Sequence, residues 1–143
     1  MKDSKENAFI TLINNQKSGG ESEKIEFSSK GSFYKKEDVF HITYKEHSEM
    51  GMGDSRVFLK IEKDKITMRR MGEVNTMMRY ELGRITEFLY RMPFGEMNIK
   101  IKTEKILNNL TEAGGKLDFS YVLLMNGGEI YNDMSVSIQC ERN

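Results

Sequence analysis

The chain has no tryptophan, one cysteine, one proline and two histidines. A lone Cys140 excludes an intramolecular disulfide framework. His41 and His47 have no cysteine cluster beside them, and His47 with Glu46 and Glu49 is the nearest approach to a metal site. That is too few ligands for zinc. Net charge is missing as well, because 22 basic residues offset 22 acidic ones at a pI near 6.8. Such a balance exerts no global pull on nucleic acid or on an anionic membrane, and leaves only a local patch to consider. No basic block exceeds pairs such as Lys35-Lys36 and Arg69-Arg70.

Long hydrophobic runs are absent too. No segment approaches the roughly 18 apolar residues of a membrane span. The run Ala8-Phe9-Ile10-Thr11-Leu12-Ile13 follows a charged, polar start and is too short for a signal peptide. These absences predict a soluble, cytoplasmic protein with a flexible polar leader over 1–7 and a single domain over 8–143. A domain of that size can bury a core. Catalytic signatures are equally scarce. The Met50-Gly51-Met52-Gly53 tract opens no helix, as a phosphate loop requires. No Ser/His/Asp set surrounds a nucleophile, the aromatics match no RNA-recognition signature, and no cofactor is implied.

What the chain does have is alternation. Every second residue is apolar in Met97 to Lys102, in Leu117 to Tyr121 and in Ile130 to Gln139. Phe40, Ile42 and Tyr44 alternate with His41, Thr43 and Lys45, as Val57, Leu59 and Ile61 do with Phe58, Lys60 and Glu62. This is the period of strands with one buried face. Turn signals separate the runs at 15–20, 36–38, 50–54, 63–64, 72–73, 83–84, 93–95, 113–115 and 126–128. About ten short strands follow, and the expected fold is all-β, a single antiparallel meander barrel of 8–10 strands. Closure is preferred to a sandwich because it removes exposed edges, and ten tilted strands enclose a ligand-sized interior. Thr103 to Leu110 reads either as the one helix or as the tail of a long, bent strand.

Several motifs carry a family resemblance. They are Arg70-x-Gly72-x-Val74, Arg79-Tyr80-x-x-Gly83, Tyr90-x-x-Pro93-Phe94-Gly95, Tyr44-x-Glu46 and, more loosely, the tract from Leu117 to Ile138. Together they resemble the YwiB-like family of bacterial proteins over about Ile10 to Ile138. The resemblance implies a calycin-like, lipocalin-type β-barrel. It implies no activity, since that family is itself of unknown function.

Alternation also assigns faces. Glu46 shares the phase of Phe40, Ile42 and Tyr44; Arg70 that of Ile66 and Met68; Tyr90 that of Phe88 and Met92. Val74, Thr76, Met78, Tyr80 and Leu82 form another inward phase, which sends Arg79 and Arg91 outward. Antiparallel order then gathers Glu46, Arg70, Tyr90 and the Pro93-Gly95 turn at one end of the barrel. An inward arginine needs an anion or several acceptors. Glu46 is the internal partner, and a ligand carboxylate or phosphate the external one. Met68, Met78, Met92, Met97, Met125 and Met134 fall on inward phases, as core filler or as an adaptable pocket wall.

The expected function is non-enzymatic binding of a small, partly apolar and anionic ligand inside the barrel, by Tyr44, Glu46, Arg70, Met78, Tyr80, Phe88 and Tyr90. The alternatives are a filled-core structural or protein-interaction module, with an apolar patch around Phe58, Leu124 and Tyr131, and a calycin-type enzyme using Glu46. The chain is expected as a monomer or homodimer that engages neither nucleic acid nor membrane.

Overall fold

The computed structural model describes residues 6–46, 54–72, 75–92, 95–125 and 127–141, with the backbone alone at Met92. His47, Glu49, the Met50 to Gly53 tract, Val74, Pro93, Phe94 and the Met92 side chain therefore lie outside the described residues. Ten strands run in order: β1 (Ala8–Ser18), β2 (Glu21–Lys36), β3 (Val39–Glu46), β4 (Ser55–Glu62), β5 (Lys65–Gly72), β6 (Thr76–Glu81), β7 (Ile85–Met92), β8 (Gly95–Thr111), β9 (Gly114–Met125) and β10 (Gly128–Cys140). Consecutive strands pair antiparallel, and β1 pairs with β10 from Ala8↔Cys140 to Lys17↔Tyr131. β6 and β7 share no ladder among the described residues. The protein is thus an all-β meander wrapped into a nearly closed barrel with one seam.

The seam is fastened at one end. The Leu82 amide donates to the Asp64 carbonyl at 3.0 Å and the Gly83 amide to the Thr103 carbonyl at 3.1 Å. The Thr86 hydroxyl also donates to the Arg79 carbonyl across the gap. Leu82, expected inward, sits in this turn and is 39% exposed, because β6 and its inward phase stop at Glu81 and Tyr80.

Other boundaries differ in instructive ways. Residues 15–18, expected in a turn, belong to β1, and the chain reverses at Gly19 and Gly20, both with positive φ. The Thr103 to Leu110 segment is strand throughout, part of the long β8, with a register shift between Thr103 and Lys105. That bulge moves the inward phase from odd residues (Ile99, Ile101, Thr103) to even ones (Ile106, Leu110), which produced the helix-like spacing.

β2 bends over β1 and β3 at Gly31, which is paired with Ala8 on one side and Tyr44 on the other. A Cβ at Gly31 would overlap the Thr43 carbonyl oxygen and the Ile10 side chain. Inward side chains fill the end nearest the Asp64 and Gly83 turns: Ile10, Ile42, Leu59, Ile61, Ile66, Ile101, Leu117, Val136 and Ile138 are all essentially buried. Tyr80, Phe119 and Tyr121 close this core with ring centroids 4.7–5.7 Å apart. The opposite end is not filled.

Candidate functional site: the open half of the barrel

Above the aromatic floor lies a cavity of about 340 Å³. This falls at the small end of the range for ligand pockets, roughly 300–1,000 Å³. Its walls are the inward phases of nearly every strand, and all seven residues expected there line it: Tyr44, Glu46, Arg70, Met78, Tyr80, Phe88 and Tyr90. Of the inward methionines, Met68, Met78 and Met134 reach the cavity, whereas Met97 and Met125 are half-buried outside it.

The polar pole is built by cross-strand rows. Tyr44, Val57, Arg70 and Thr76 stand side by side on β3 to β6. The next row holds Glu46, Ser55 and Gly72. Small Ser55 and side-chain-free Gly72 leave room for Arg70 to reach across β4. Its Nε donates to Glu46 Oε1 at 2.8 Å and its Nη2 to Glu46 Oε2 at 3.0 Å, a bidentate pair with both side chains about nine-tenths buried. Burial by itself would lower the Arg70 pKa, but the Glu46 hydrogen bond and charge outweigh it and the value rises. Arg70 is therefore a fixed cation, already neutralised from within. Glu46 is correspondingly engaged, which removes the free carboxyl that a general acid or base requires.

The buried phenols are weaker acids than usual. Desolvation, with the Glu46 charge, pushes Tyr44 far above its ordinary value. Desolvation also raises Tyr80, and takes Tyr121 to about 12. All three remain hydroxyl donors rather than phenolate bases at neutral pH. Thr76 is 8% exposed, lines the cavity, and has a buried Oγ1 with no partner among the described residues.

This chain has relatives among known proteins. The family model described as a domain of unknown function, DUF1934, matches residues 10–138. The chain belongs to the DUF1934 family. It is 30% identical over 102 residues to the uncharacterized beta-barrel protein YwiB of Bacillus subtilis (strain 168), covering 71% of this chain and 70% of that protein. The crystal structure of the ywiB protein from Bacillus subtilis superimposes with a TM-score of 0.85 at 23% identity, covering 97% of this chain and 96% of that one. These likenesses establish the DUF1934 barrel and assign it no activity.

Within this DUF1934 barrel, a second polar pole was not expected from sequence. Asn14 Nδ2 and Gln16 Nε2 donate to Asn132 Oδ1 at 3.1 and 2.9 Å, and Asn132 Nδ2 donates to the Ile130 carbonyl at 3.0 Å. Asn14 and Gln16 line the cavity, and Asn14 Oδ1 is buried without a partner among the described residues. The signal was present: Asn14 and Gln16 continue the inward phase of Ile10 and Leu12, and Asn132 that of Met134 and Val136. Between the two poles the wall is apolar, with Leu12, Phe27, Met68, Leu123 and Met134. A recess over the β6–β7 seam shares Arg70, Thr76 and Phe88 with the cavity, so only these side chains stand between the two there.

Other expected features stand apart from the site. Phe58 and Tyr131 are exposed and Leu124 half-buried, but β4 and β10 are separated by three strands, so they form no single patch. His41 stacks under Tyr34 at 4.7 Å. Among the described residues no three His, Cys, Asp or Glu side chains gather to hold a metal, and no helix is long and apolar enough to cross a membrane.

Proposed function

We propose that this protein is a non-enzymatic, cytoplasmic binding barrel that holds a small, partly apolar molecule in its open half, in the manner of a lipocalin. The observation that carries this reading is the cavity itself, apolar between its two poles and carrying on its wall two buried oxygens, Thr76 Oγ1 and Asn14 Oδ1, that have no partner among the described residues. A buried polar atom without a partner costs about 1–3 kcal/mol, a cost that a ligand offering a hydrogen bond removes. Because Glu46 already occupies two Arg70 donors, the ligand's polar group meets a neutral ion pair. A compact acceptor reaching the remaining guanidinium N–H groups fits, and an anion binds there only by competing with Glu46. The weakly acidic phenols of Tyr44, Tyr80 and Tyr121, the apolar wall and an engaged Glu46 offer no ready proton-transfer group, which supports binding over catalysis.

Native mass spectrometry of freshly purified protein tests this, paired with titration by 1-anilinonaphthalene-8-sulfonate, a probe with an apolar body and one polar end. A co-purifying small molecule, or saturable probe fluorescence abolished by Met134→Trp, is the expected outcome. Protein that emerges empty and gives no saturable signal would sink the reading in favour of a structural module.

A further inference from the structure

The outer face of β3 to β6 sorts the chain's balanced charge. Three cross-strand rows run across it: His41, Lys60, Thr67 and Arg79; Thr43, Phe58, Arg69 and Met77; Lys45, Arg56 and Met71. Not one of these positions is a carboxylate. Elsewhere on the barrel, outward cations stand next to acids, as Arg91 does to Glu96 at 3.3 Å and Lys116 to Asp118 at 3.9 Å. Lys45, Arg56, Lys60, Arg69 and Arg79 make no such pair among the described residues. The carboxylates lie beyond the rows: Asp54 and Glu62 at the two ends of β4, Glu81 opposite Lys65, and Glu87 across the β6–β7 seam in a recess it shares with Arg69.

The same face displays rings and soft apolar groups. Tyr34 is 52% exposed and stacked on His41, Phe58 is 37% exposed, and Met71 and Met77 stand beside the arginines. Together with Arg56 and Arg69 they line a shallow groove. Its cationic character is felt at His41, whose pKa is lowered by partial burial and then by Lys60 and Lys36, with Glu62 opposing. Three inter-strand spacings make the face about 14 Å across, and Arg56 to Lys60 spans about 13 Å along β4.

We infer that this face binds single-stranded nucleic acid. Phosphates answer a cation cluster that makes no ion pair of its own among the described residues. Exposed rings interleaved with those cations offer stacking to unpaired bases, which a duplex keeps hidden. A sheet face of this size accommodates a few nucleotides. Neutral overall charge limits the interaction to this one face, so affinity is modest and strongly salt-dependent. The inference is independent of the interior cavity, which is lined by the opposite, inward phase of the same strands.

Fluorescence anisotropy with a labelled oligo(U) or oligo(dT) of about 15 nucleotides, the upper span of small sheet-based binders, tests it. Binding is expected at low salt, with a log–log salt slope of about −0.7 for each cation engaged and so about −3.5 for all five. Lys60→Glu and Arg69→Glu each lower affinity by at least about tenfold and flatten the slope. Phe58→Ala lowers it by at least about fivefold with the slope unchanged, as loss of one stacked base predicts. Thermal unfolding of these surface variants checks that the barrel is intact. The inference is overturned by absence of oligonucleotide binding at low salt. It is equally overturned if Phe58→Ala binds as wild type while heparin competes fully, meaning that charge alone is read. Uptake by phosphatidylglycerol vesicles without oligonucleotide binding, or a homodimer in light scattering that Lys60→Glu dissociates, would assign the face to a membrane or a second copy.

Discussion

Arg70 and Glu46 form a closed unit, and their energetics follow from that closure. Two charges taken from water are tolerable only together, so removing one leaves the other stranded at a cost of about 3–5 kcal/mol, whereas replacing both with apolar groups is often neutral. Urea unfolding should therefore show Arg70→Met strongly destabilised and Glu46→Leu/Arg70→Met recovering most of the loss. Independent, additive losses would show that the pair does not act as a unit. The buried phenols make a second prediction. Tyr44, Tyr80 and Tyr121 all have folded-state values above the unfolded value near 10. Above pH 10 the unfolded chain loses phenolic protons that the folded chain keeps, so stability is full below 10 and falls as pH rises toward 12. The slope is at most about 1.4 kcal/mol per pH unit for each tyrosine. Tyr121→Phe should flatten this alkaline decline, read from denaturation midpoints across pH 9 to 12, and an unchanged slope would count against its burial. At this scale the inward pair was legible from phase alone, since Glu46 and Arg70 each stand among apolar partners of like parity. Asn14 and Gln16 were not read, because polar residues on an inward phase resemble the end of a strand unless the strand is known to continue, and Asn132, inside an expected strand, gains these partners only when β1 lies beside β10.

Between residues and molecule lie strands whose shape depends on single positions. Gly31 lets β2 pass against β1 and β3 at once, and any side chain there meets the Thr43 carbonyl and Ile10. Gly31→Ala is expected to destabilise the barrel by about 1–3 kcal/mol through this overlap, measured by thermal or urea unfolding, while Ser28→Ala on the outer face of the same strand changes little. An unaffected Gly31→Ala would mean that β2 can shift without loss. The strands themselves were legible because one buried face imposes period two. The bulge in β8 was not, since no residue type marks the extra residue at Glu104 and its whole effect is to switch the parity downstream. The open seam was hidden for a similar reason. β6 and β7 are joined by a short turn over 82–84, and nothing in its residues marks the missing ladder.

For the whole molecule, composition described a neutral protein, yet the fold is not uniformly neutral. Lys45, Arg56, Lys60, Arg69 and Arg79 share one outer face, while Asp118, Glu129 and Asp133 stand on β9 and β10. Each charge was assignable to the outside from its parity. Their gathering emerges only when consecutive hairpins are laid side by side, which turns residues far apart in sequence into neighbours about 5 Å apart. The same arrangement joins the first strand to the last, with Ala8 facing Cys140 and Asn7 accepting from the Glu141 amide at 2.9 Å. During synthesis β1 leaves the ribosome with one of its two hydrogen-bonding edges unmatched, and its match, β10, is the last strand of this barrel to be made. Since contacts between such distant segments are slow to form, the nascent chain carries an adhesive first strand through nearly the whole of translation. Its two halves join only once β10 can pair with β1.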